Sequence, residues 1–233
     1  MMNIKQIFLL LSVLFSFGST IAQENEEEIL DTTSNTIYVG PFVSMAIGSN
    51  IVVPVDGRQN GMAFTSVPSM GFLLKAPLMK TVNLKGVAIL GFDNYAFGMK
   101  NFNSGENFIH NFSYTTLTAM LDFEGMLFGL TYGIPVSARN GNNIDINIVN
   151  SLAELKFGGN FVLIEDESSQ FNMNFTFGYM LNDLYNNFPQ NDPLKTKIPY
   201  GDPRQKVTDE FNLRVASFRI SFNYLFNVGK INL

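Results

Sequence analysis

The chain has 233 residues, 15% of them charged and 46% hydrophobic, with 23 phenylalanines and no cysteine. That length suits one domain with a sizeable core, and the charge fraction lies well below the roughly 25% of an average soluble domain. Disulfides, thiolate metal sites and a lipid-bearing cysteine are excluded, and the formal net charge of −5 argues against a nucleic-acid partner.

In chain order the first element is a leader. Lys5 precedes an apolar run from Ile7 to Phe17, and small residues lead on to Thr20-Ile21-Ala22 and then Gln23. A charged start, a short apolar core and a small-residue cleavage site predict a secretory signal peptide over 1–22. The run is too short for the roughly 20 residues of a spanning helix. Residues 23–35 read as an acidic periplasmic linker, with Glu24, Glu26, Glu27, Glu28 and Asp31.

From Thr36 onward the pattern is alternation with a period of two, which places successive side chains on opposite faces of a strand. Ile37, Val39, Val43, Met45 and Ile47 oppose Gly40, Ser44 and Gly48; Met70, Phe72, Leu74, Ala76 and Leu78 oppose Ser69, Gly71 and Lys75. Leu84, Ala88, Leu90 and Phe92 oppose Lys85 and Asp93, and Leu117, Ala119, Leu121 and Phe123 oppose Thr116, Thr118 and Asp122. Bulky residues from Met126 to Val136 are spaced by Leu127, Gly129, Thr131, Gly133 and Pro135. Ala153, Leu155, Phe157, Gly159 and Phe161 oppose Glu154, Lys156, Gly158 and Asn160. The clearest strand has Phe171, Met173, Phe175, Phe177, Tyr179 and Leu181 on one face, with Asn172, Asn174, Thr176 and Gly178 on the other and Met180 the exception. In the last, Ala216, Phe218, Ile220, Phe222, Tyr224 and Phe226 oppose Ser217, Arg219, Ser221 and Asn223. Parity slips twice: Tyr95, Phe97 and Met99 contradict Phe92, and Phe211, Leu213 and Val215 contradict Phe218. A bulge, or a strand rising beyond a membrane, accounts for either slip.

The segments fall near 36–48, 66–78, 82–100, 110–122, 126–137, 151–165, 170–184 and 210–228, and their connections alternate between short and long. An even strand number with short turns at one end and long loops at the other is the pattern of bacterial outer-membrane barrels. About eleven residues tilted by ~40° rise roughly 25–28 Å, close to the apolar band of such barrels. The apolar face must then point outward, since eight strands enclose room only for side chains. The reading is an all-β, eight-stranded antiparallel up-and-down transmembrane β-barrel over 36–233. A soluble lipocalin-like carrier would show the opposite polarity.

Glycine-aromatic strands such as KGVAILGFDNY and GMLFGLTYGIPV, the closing strand FRISFNYLF and the leader ending IAQ resemble outer-membrane β-barrel proteins of the Bacteroidota. That broad group includes PorT-like proteins, and its barrels are similar to the eight-stranded transmembrane domain of OmpA-type proteins. The likeness spans about Thr36 to Asn227. It implies residence in the outer membrane, contact with its lipids and with the barrel-insertion machinery, and, for PorT-like members, an accessory role in secretion. Typical members end in an aromatic residue, whereas here NVGKINL follows Phe226. Either this tail is periplasmic or the closing strand runs further.

The inward face carries Lys75, Lys85, Asp93, Asp122, Glu154, Lys156 and Arg219. A buried charge without a partner is very costly, so this near-balance predicts a mutually paired network in a plugged, polar-filled lumen. A conducting path lined by the same groups is the competing reading. The last long loop gathers Phe188, Lys195, Lys197, Tyr200, Arg204 and Lys206 among four prolines, a candidate docking loop for a surface partner or secretion complex. His110, the single histidine, precedes Ser113 by three residues, which puts the two on opposite strand faces. A hydrolase dyad is therefore not expected, and His110 reads as a polar residue near the membrane interface. No catalytic, cofactor or metal site is predicted. The functional expectation is a structural or interaction role, with a narrow solute channel and a lipid-modifying enzyme as rivals.

Overall fold

The computed structural model describes residues 35–52, 58–79, 83–101, 105, 107–186 and 213–231. The leader, most of the acidic linker and all six residues of the candidate docking loop lie outside them. The described chain is all-β apart from one 3-10 turn at Ile146–Ile148. Its antiparallel strands are β1 (Thr36–Asn50), β2 (Arg58–Phe64), β3 (Ser69–Met79), β4 (Leu84–Asn101), β5 (Asn107–Phe123), β6 (Met126–Arg139), β7 (Leu152–Glu165), β8 (Ser169–Met180) and β9 (Val215–Lys230). From β3 to β9 each strand pairs with the next. β3 and β9 both pair with β1, which closes a barrel-like ring of hydrogen bonds.

The ring has eight positions, because β2 and β3 share one. β2 pairs with the far end of β1 at Ile47↔Phe64 and with β4 at Arg58↔Asn101; β3 pairs with the same two neighbours lower down. The second strand was expected to begin near residue 66; its position in fact begins at Arg58 and is interrupted at 65–68. Pro68 lacks the N–H a ladder needs. Side chains take over there: Thr65 exchanges bonds with Ala46 through its N–H and Oγ1, and Asn94 donates to Ser69 Oγ and to the Pro68 carbonyl. The small Gly61 and Ala63 leave β2 with little apolar contrast, so its alternation is faint.

Every strand carries apolar residues at outward positions, with polar ones such as Asn107, Asn111 and Ser113 of β5 toward the long-loop end. Phe72, Leu90, Leu117, Phe128, Leu130 and Ile134 are among the large hydrophobics exposed there, and no Asp, Glu, Lys or Arg stands at the outward positions of β1, β3 or β8, while Arg139, opposite Asn111, is an outward charge at the end of β6. Inward positions are buried or half-buried through the middle of the ring whatever their chemistry. Neither parity slip is a bulge. β4 pairs with β5 without a shift from Leu84↔Phe123 to Lys100↔Asn107, and β9 is regular from Val215 to Phe226. Tyr95, Phe97, Met99, Leu213 and Val215 simply face inward with Asp93 and Arg219. They join Phe112, Tyr114, Leu152, Met180 and Leu184 in an apolar core at the long-loop end, roofed by Ile146, Ile148 and Tyr185. The interior is therefore not polar throughout, as the alternation suggested. It is apolar at that end, and a second apolar cluster (Tyr38, Leu73, Val87, Met120, Leu127 and Leu225) sits nearer the short turns.

The chain does bulge at Pro135–Ser137, where the β5–β6 register slips, a position that suits a residue without an N–H. At the opposite end Glu124 and Gly125, with φ of 49° and 85°, make the two-residue turn between β5 and β6, whose twist matches the strands. The β7–β8 turn is held by Asp166, which accepts from the N–H and hydroxyl groups of Ser168 and Ser169. Those donors hold its carboxyl down to about 2, so their support persists until the pH falls through that value. β9 extends past Phe226 to Lys230, which pairs with Thr36. The closing strand is thus longer than the aromatic pattern indicated.

The inward apolar core should dominate stability. Phe112→Ala is expected to cost about 3–5 kcal/mol, while Leu117→Ala, outward on the same strand, should cost about 0.5 kcal/mol or less. Denaturant titrations of both variants in detergent check this, and a larger loss for Leu117→Ala than for Phe112→Ala would mean the faces are exchanged.

Candidate functional site

The inward charges gather in two groups. Nearer the short turns, Lys75 of β3 meets Asp122 of β5 at 2.7 Å. Asp122 also accepts from the Gly125 N–H at 3.0 Å and from Asn160 Nδ2 at 3.2 Å, so one carboxylate ties two strands and a turn. Lys85 lies beside Asp122 across the β4–β5 ladder and is partly buried.

The larger group sits at mid-height. Arg219 of β9 donates through Nη1 to Asp93 Oδ1 at 2.8 Å, Ser69 Oγ at 2.5 Å and Ser44 Oγ at 3.1 Å, and through Nη2 to the Asn94 carbonyl at 3.4 Å. Its guanidinium lies 5.2 Å from the centre of the Tyr95 ring. Asp93 also accepts from Thr116 at 3.1 Å and from Lys156 at 3.4 Å. Lys156 then reaches Glu154 at 3.3 Å, and Glu154 accepts from the Tyr95 hydroxyl at 2.7 Å and from Ser217 at 3.3 Å. Two cations thus face two carboxylates in one chain of contacts, every member almost fully buried. Gly178 makes the space: a Cβ there would fall on the Glu154 carboxylate.

Six of the seven inward charges are therefore joined in two balanced sets, with Lys85 at the border of the lower one. Of their neutral partners, Ser44, Ser69, Thr116 and Ser217 were read from sequence as inward residues, without a role, and Tyr95 was not. The inward parity of Tyr95 was the available signal, obscured by the assumption that bulky residues point outward.

Between the two groups lies a cavity of about 40 Å³. Asn172, Asn174 and Asn223 line one side and Leu73, Val87 and Met120 the other. Asn172 Oδ1, Asn174 Oδ1, Asn223 Nδ2 and Arg219 Nε have no protein partner. A space of this size suits about three bridging waters.

His110 is fully buried inside the ring, stacked on Phe97 at 4.7 Å between centroids and 3° between planes. Even positions of β5 face inward, so it packs in the interior rather than on the outer face. Ser113 faces the other way and donates to Asn94 Oδ1 at 2.6 Å, so the two form no dyad. Among the described residues no three acidic or histidine side chains converge as a metal site. No known family matches the sequence, and none of the curated proteins is significantly similar to it.

The charge belt yields a stability prediction. Arg219→Met should leave a surplus carboxylate beside Asp93 and cost about 3–5 kcal/mol, whereas the double variant Arg219→Met, Asp93→Leu keeps Lys156 and Glu154 balanced and should recover much of that loss. Unfolding titrations of the three proteins check this. A small effect of the single change would mean a wet interior in which each charge keeps its hydration.

Proposed function

We propose that this chain is a bacterial outer-membrane β-barrel, exported through its leader, that spans the bilayer and carries a closed interior plug. Its role is structural or interaction-based, as an accessory of a secretion assembly, with its long loops at the cell surface and its short turns in the periplasm. The observation that carries this reading is the inversion of polarity: apolar side chains such as Phe72, Leu117 and Ile134 exposed all round the ring, charges such as Arg219 and Glu154 buried inside. A soluble protein loses on both counts, since exposed apolar surface and enclosed charge each oppose folding in water. In a bilayer the outer face meets hydrocarbon, and closure leaves no unpaired backbone along the spanning part of the ring.

The apolar core at the long-loop end, with its roof of Ile146, Ile148 and Tyr185, favours a plug over a conducting path. The resemblance to PorT-like proteins supports the secretion context.

The mature protein should fractionate with the outer membrane, and its apparent size on gels should change when the sample is boiled, because closed barrels resist detergent without heat. Recovery in the soluble periplasm would overturn the assignment, and ion conductance in planar bilayers would overturn the plug. Faces can be tested separately. Phe175→Arg should cost roughly 2–4 kcal/mol through the hydrocarbon near mid-membrane, and Asn174→Arg, beside the interior cavity, clearly less. Folding yields into vesicles distinguish them.

A further inference from the structure

The ring is uneven at its short-turn end. β6 begins at Met126, opposite Gly159, whereas β7 runs on to Glu165. Asn160 N–H still donates to the Gly125 carbonyl at 2.7 Å. Beyond it, the ladder partner of β7 among the described residues is β8 alone. The free edge is formed by Phe161, Val162, Leu163 and Ile164, all exposed, Ile164 by 64%.

Aromatic and branched side chains beside unpaired N–H and C=O groups are a template for another strand. Such edges are usually blunted by lysine, proline or a covering loop. Among the described residues none of these stands here, and a bulge at Leu163 shortens the template to a few residues. The flanks are acidic: Glu124 in the adjoining turn and Glu167 in the hairpin turn are both exposed. The hairpin itself is firm, since Glu165 accepts from Tyr38 across the ring at 3.0 Å and Asp166 fixes the turn.

We propose that the Phe161–Ile164 edge of β7 docks a short extended segment of a partner protein, apolar at its centre and basic at its ends, which adds as a strand in the notch beside the β5–β6 turn. Two other occupants fit less well. The segment before Asn35 joins β1 at the same end, but its five acids would meet Glu124 and Glu167. A second copy would bring the same carboxylates together. The edge exists whether or not the ring spans a membrane, so the proposal can fail while the membrane assignment stands.

The test uses the full chain in phosphatidylcholine nanodiscs and two fluorescent heptapeptides of alternating valine and threonine, one with lysine at both ends and one with glutamate. Anisotropy should show saturable binding of the lysine peptide, about tenfold tighter than the glutamate peptide. Val162→Lys or Ile164→Lys should abolish it, with gel mobility before and after boiling confirming that each variant still folds. The Glu124→Gln, Glu167→Gln double variant should lose most of the preference for lysine. No saturable binding to the unaltered chain, equal affinity for both peptides, or binding unchanged in the edge variants would overturn the proposal. So would a disulfide-linked dimer of Leu163→Cys in native membranes, which assigns the edge to a second copy. A gain in peptide affinity on deleting residues 24–34 would equally overturn it, assigning the edge to the chain's own leader-proximal segment.

Discussion

A charge enclosed by a ring of strands has lost bulk water, and the rest of this interior is arranged around that constraint. Arg219 is the centre of it. The planar guanidinium offers five donors in a fixed fork, and four of its neighbours come from β1, β3 and β4. No one of these bonds is exceptional; together they fix how far β9 stands from the opposite wall. Lys156 extends the set to Glu154, and Tyr95 and Ser217 satisfy the remaining carboxylate oxygens. An arrangement in which every member is matched rigidifies a core, while a partly matched one weakens it. This explains why serines and a tyrosine stand at positions that could otherwise hold leucine.

The belt also divides the interior by chemistry. Toward the long loops the walls are aromatic and aliphatic, closing on Phe97, Phe112 and Tyr185. Toward the short turns a polar arc of asparagines faces an aliphatic arc across a small cavity. The same strands thus carry three kinds of inward residue along their length, while their outward residues are apolar over the lower and middle ring. A ring that is apolar outside and layered inside is specified strand by strand, because sliding one strand by a single residue would exchange the faces.

How much of this was legible in the sequence follows from the same asymmetry. Along β8 and β9 the outward face repeats one chemistry, so Phe171 to Leu181 or Phe218 to Phe226 announced their strands directly, and the short links Phe123-Glu124-Gly125 and Asp166 to Ser169 announced the turns. The paired charges were visible as polar residues in an apolar rhythm, but which met which depends on contacts across the ring that spacing does not encode. Tyr95, Phe97 and Leu213 misled because bulk was read as outward, although an apolar core needs bulk as well. β2 went unseen for the opposite reason, since Gly61 and Ala63 give no contrast with Met62 and Phe64 strong enough to mark a strand. His110 was placed at the interface by its polarity, and stacking on Phe97 is a property of the folded ring alone.

The seam between β1 and β9 sets an order of assembly. Every other pairing joins strands close in the chain, but Val43 meets Phe222 and Ser44 meets Ser221 from opposite ends of it. Contacts of such separation form late, because loop closure must be met before they contribute. Arg219 rides on the strand that closes, and its partners Ser44, Ser69 and Asp93 wait on the other side of the gap. The mid-height charges can therefore neutralise one another fully only at the last step, so the open sheet carries an unmatched arginine on one margin and an unmatched aspartate well inside the other.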